Sequence, residues 1–182
     1  MKSNNPFFTL TAGAIACSLL FSISSLAQKS PKLSDAEIAS VAVVANQIDV
    51  SYAEIAKKQS TNEEVLKFAE TMISDHTAVI NQAVALVNKL GVTPKDNAVS
   101  QKLLKDAEKT KKILNSKSAS SFNKTYVDNE VAYHKAVIAA VEDLLIPESD
   151  NKELKDLLQS VVPVLRTHLE HARMLQSKLS NK

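Results

Sequence analysis

The chain has one cysteine, two glycines, five prolines and no tryptophan, and aromatic residues make up 4% of its 182 residues. The lone Cys17 stands inside an apolar N-terminal run, so the rest of the chain excludes disulfides and thiol chemistry. It must therefore be held by core packing, which a chain of this length can supply. Glycine-rich phosphate loops are excluded too, because Gly13 lies in the same run and Gly91 stands alone. The formal net charge of +2, with no interleaving of basic and aromatic residues, argues against nucleic acid as a partner. No nucleophile–base–orienter set is present, so no enzymatic reaction is read from the sequence.

Lys2, the uncharged apolar stretch Leu10 to Leu26, and Ser25-Leu26-Ala27 have the layout of a secretory signal. Cleavage is expected after Ala27, making residues 1–27 a signal peptide and 28–182 one exported domain, periplasmic or elsewhere in the cell envelope. Retention of the run as a membrane anchor is the alternative, since its length approaches that of a spanning helix.

The remainder reads as helices. Ser34-Asp-Ala-Glu37 and Thr61-Asn-Glu-Glu64 have the form of capping boxes opening two long helices, to about Gln59 and Leu90. Gly91 closes the second, because glycine takes the left-handed cap at little cost. Pro94 marks an extended stretch, followed by a shorter helix from Ala98 to about Asn115. A third long helix starts at Ser118 and is expected to stop at Pro147. A fourth opens at Asp150-Asn-Lys-Glu153 and runs to about Leu179, with a kink expected at Pro163. Apolar residues recur three and four apart in each, as in Leu154, Leu158, Val161, Leu165, Ala172 and Leu175. Connections that are short, long and short give an all-α, ferritin-like four-helix bundle with a long helical crossover between helices 2 and 3.

Histidines interrupt the apolar seams. His76, His134 and His168 each occupy a position where an inward apolar residue is expected, and Glu130 shares a face with His134. Counting helical rise puts all four, with Gln47 and Asp49, at about 15–22 Å from one end of the bundle. Three imidazoles and the Glu130 carboxylate suit a single transition metal such as Zn or Fe. A di-iron centre is disfavoured: it needs Glu-x-x-His on two helices, and the residues three before His76 and His168 are Ile73 and Leu165. The competing readings are histidines merely hydrogen-bonded to a neighbour such as Asp75, Glu130, Tyr52 or Tyr133, and a cluster that senses pH. Arg166 and Glu170, four apart, are expected to pair on the surface. The lysine-rich stretch Lys102–Lys117 reads first as a solvated helix face, with contact to a membrane surface as the alternative.

Leu33-Ser-Asp-Ala-Glu-Ile, Phe68-Ala-Glu-Thr-Met-Ile-Ser-Asp-His76, Tyr126 through His134, and Leu165-Arg-Thr-His-Leu with Pro163 before it resemble the bacterial exported domain of unknown function 4142 family. The likeness spans about Ser34 to Gln176. It implies a ferritin-like bundle and brings no established activity. Two functions are expected from these readings. One is a non-enzymatic envelope protein that binds a protein partner or serves a stress response, as the family's exported character implies. The other is a ferritin-like metal-binding protein with a mononuclear site at His76, Glu130, His134 and His168.

Overall fold

Ser34 and Glu37 satisfy each other's backbone N–H groups at the start of helix α1 (Asp35–Gln59), as the capping pattern predicts. The computed structural model describes residues 32–181. The expected signal peptide (1–27) lies outside them. Helix α2 (Glu63–Leu90) follows after a tight turn and ends at Gly91, whose φ of 62° is the left-handed conformation expected there. Its cap differs from expectation: Asn62, not Thr61, accepts from the Glu64 and Val65 N–H groups. Asparagine is among the strongest N-caps, so it displaces the threonine one residue earlier.

Helix α3 (Ala98–Asn115) lies along α1. Asn97 donates to the Glu37 carbonyl near the start of α1, and Gln59 donates to Asn115 at its end. The connection therefore travels the length of the bundle. Within α3, Lys102 and Lys109 both pair with Asp106, and Lys111 pairs with Glu108, so much of its positive charge is balanced locally. Helix α4 (Ala119–Ala140) runs back into a π-helical turn (Val141–Leu145) and a last short turn, α5 (Ile146–Glu148). The rod ends at Glu148, one residue past the stop expected at Pro147, and takes the proline into its last turn. Ile146 bonds five residues back to Val141, and this wider register accommodates the ring that an α-helix would expel.

Helix α6 (Lys152–Ser180) is capped by Asn151 and continues through Pro163. Asp35 accepts from the backbone N–H of Asp150 and Asn151, which fixes the starts of α1 and α6 at one end. Arg166 makes a two-pronged bond to Glu142 across to the π turn, and Glu170 pairs instead with Arg173. One guanidinium nitrogen, Nη2, reaches both Glu142 oxygens, at 2.7 and 2.9 Å, a charge-assisted contact that draws Arg166 away from its i,i+4 neighbour.

Four long helices thus form a bundle in which α2 and α4 run parallel and α3 is the crossover between them. The described residues contain no strand and no helix long and apolar enough to cross a membrane. α1 packs most extensively on α2, and α4 on α6, with sparser contact between the two pairs. One half of the interior is filled by Val65, Phe68, Met72, Phe122 and Tyr126, all fully buried. Each of the aliphatic and Phe side chains there contributes about 1.5–3 kcal/mol by leaving water. The other half is lined by Ala, Val and Leu. The histidines lie between the halves.

Candidate metal centre

Each long helix delivers one donor to the same level. His76 comes from α2, His134 from α4 and His168 from α6, and one ring nitrogen of each lies within 4.8 Å of the others. Their ring centroids are 5.2–5.6 Å apart. From α1 comes Asp49, fully buried, with Oδ2 3.5 Å from His76 Nε2 and 3.7 Å from His134 Nε2. Glu130, also fully buried, completes a second cluster with Asp49 and His134. Its Oε2 lies 3.6 Å from His134 Nδ1.

Of the sequence-predicted residues, His76, His134 and His168 are gathered in one group, whereas Glu130 falls in the other, with Asp49 and His134. Asp49 is the buried acid beside the imidazoles that the ligand assignment left out. It follows Ala45 by four and precedes Tyr52 by three, so the seam spacing of α1 already points it inward.

The far nitrogen of every imidazole is held. His76 Nδ1 is 2.7 Å from the Asn46 side-chain oxygen, and His134 Nδ1 is 3.0 Å from the Glu130 backbone carbonyl. His168 Nε2 is 2.9 Å from Asp75 Oδ2. Each partner is an acceptor, so each of those nitrogens carries the hydrogen and donates it. The near nitrogens are then left as lone pairs: His76 Nε2, His134 Nε2 and His168 Nδ1. These three atoms, both Asp49 oxygens, Glu130 Oε2 and the Tyr126 hydroxyl are buried without a hydrogen-bond partner among the described residues. Buried polar atoms are rarely left so.

Burial governs the charges. It raises the Asp49 carboxyl to about 8 and pushes Glu130 well above the ordinary carboxylate range, with Asp49 adding to the rise. It lowers His76 to about 3 and His134 to about 4, and the neighbouring imidazoles push the same way. In the absence of a cation the cluster is thus driven to neutrality. Neutral imidazoles with one nitrogen free are the form that binds a metal.

A cavity of about 340 Å³ adjoins the cluster, reaching from Asp49, His76, His134 and His168 along the aliphatic half of the bundle to Val87, Leu145 and Leu154. No curated protein and no solved structure matches the chain. The family model described as Domain of unknown function (DUF4142) matches residues 22–175, most of the chain, and the chain belongs to that family.

Proposed function

We propose that this protein binds a single divalent transition metal, with His76 Nε2, His134 Nε2, His168 Nδ1 and Asp49 as the donors and Glu130 as the flanking carboxylate. The observation that carries the reading is the three free imidazole lone pairs, His76 Nε2, His134 Nε2 and His168 Nδ1, gathered beside Asp49 without a hydrogen-bond partner among the described residues. Such a group is repulsive unless a proton or a cation joins it. Four donors at 2.0–2.2 Å from a tetrahedral ion stand about 3.3–3.6 Å apart. The separations of 3.5 and 3.7 Å from Asp49 Oδ2 to two imidazoles match that spacing.

The outer contacts support the same reading. Metal-bound histidines usually donate their other N–H to a carbonyl or carboxylate, as these three do to Asn46, Glu130 and Asp75. Three imidazoles and one carboxylate suit Zn or Fe, and bringing in the ion would convert Asp49 from acid to carboxylate. Four helices tied at one point would also stabilise the folded chain by mass action.

The test is metal analysis of protein purified without a tag. Close to one equivalent is expected in the native chain and almost none in a His76→Ala/His168→Ala double variant. Equal trace content in both would defeat the proposal.

A further inference from the structure

The apolar half of the bundle is unusual in not being filled. Where α1, α2, α4 and α6 face one another beyond the histidines, the lining includes Ala45, Val79, Ala83, Val137, Leu158 and Leu165. A water there would need two to four polar partners, and this lining offers almost none except at the histidine end.

The dimensions are informative. From His76 to Val87 along α2, and from His134 to Leu145 along α4, the helical rise is about 16 Å. The cavity also touches Val99, Leu103 and Ala107 of α3, so volume limits the occupant: about 340 Å³ holds roughly 11 groups of about 30 Å³ each, one carbon chain of that order and not a double-chain lipid. The lining also includes Ala132 and Ala136 of α4, both exposed, so the cavity communicates with solvent along that helix.

All the strongly polar groups stand at one end. A divalent ion held by Asp49 and three neutral imidazoles alone keeps one net positive charge in apolar surroundings, and expansion from four donors to five would admit an anionic donor that cancels it. We propose that the cavity binds one straight-chain fatty acid of about 10–14 carbons, its carboxylate facing the metal and its chain lying in the aliphatic half. The head-group assignment rests on the metal reading above, whereas the chain site rests on the cavity alone.

The test uses dodecanoate as probe and the zinc-loaded protein, with binding followed by calorimetry and zinc content measured in parallel. Dodecanoate is expected to bind one to one. Ala83→Phe, two helical turns from His76, should weaken it at least tenfold while zinc stoichiometry and thermal midpoint hold. Ala140→Phe blocks the same space from another helix and serves if the first variant fails to fold. In the cobalt-substituted protein, dodecanoate but not dodecane should change the visible absorption of the ion. No dodecanoate binding, or binding that neither Phe variant weakens, would overturn the proposal and leave the zinc content standing. An unchanged cobalt spectrum on saturation would overturn the placement of the head. Failure to take up zinc, with Phe-sensitive binding of dodecanoate intact, would uphold the chain site and reject the metal reading.

Discussion

Asp49 Oδ2 stands 3.5 Å from His76 Nε2, both are buried, and neither atom has a hydrogen-bond partner among the described residues. A carboxylate and an imidazole so placed can share a proton or share a cation. The first option costs little in charge but leaves several acceptors unsatisfied. The second engages Asp49 Oδ2 and the three near imidazole nitrogens at once.

Metal binding should be visible as stability. Zinc at a hundred times its dissociation constant adds about 2.7 kcal/mol to the native chain. In a domain of this size that is a rise of roughly 5–10 °C in thermal midpoint. The His76→Ala/His168→Ala variant should show no rise, and differential scanning calorimetry with and without zinc measures both.

The outer contacts should tune affinity without abolishing it. Asn46→Ala and Asp75→Ala each free one imidazole to rotate, by removing the acceptor at 2.7 and 2.9 Å respectively. A loss of about 10–100-fold in zinc affinity is expected from each, as removal of such supports usually gives. Competition against a chromogenic chelator reads the change, and native-like affinity in both would argue that the rings are fixed by packing alone.

In the metal-free protein, stability should fall between pH 6.5 and 8. Asp49, raised to about 8, keeps its proton where the unfolded chain has lost it, so its contribution shrinks as pH rises from about 4 to 8. Glu130 acts in the same direction. His76 and His134, lowered to about 3 and 4, act oppositely: the unfolded chain binds protons up to about pH 6.5 that the folded chain does not. Below pH 6.5 the two effects offset, and above it only the carboxyls remain. The slope is at most about 1.4 kcal/mol per pH unit per group. Urea midpoints in the presence of a chelator should decline from pH 6.5 to 8, and Asp49→Asn should flatten the decline. With zinc bound the dependence reverses, because acid returns protons to the donors and releases the ion.

Asp35 should matter to the fold rather than the site. It accepts from two backbone N–H groups at 3.0 Å and from the Ser149 hydroxyl at 3.2 Å, joining the start of α1 to the turn before α6. Asp35→Ala is expected to cost about 1–3 kcal/mol by leaving those donors unmet. The urea midpoint should drop while zinc affinity holds.

The sequence by itself determined the helices, the caps at the start of α1 and the end of α2, and the inward histidines. Seam spacing, the Ser34–Glu37 box and the glycine at Gly91 are local signals, and each acts within one or two turns. The long segment between Leu90 and Ser118 was enough to foretell the crossover, because chain length limits how far a connection can travel. Only the tertiary structure decided which carboxylate meets the imidazoles. Asp49 and Glu130 both point inward from mid-helix, and the rotation of α1 against α2 and α4 is set by side-chain packing across helices, which spacing along one helix does not encode. The same holds for Arg166, drawn to Glu142 on another helix rather than to its sequence neighbour. The unfilled aliphatic half is likewise a product of packing, since its lining comes from separate helices that meet only in the folded chain.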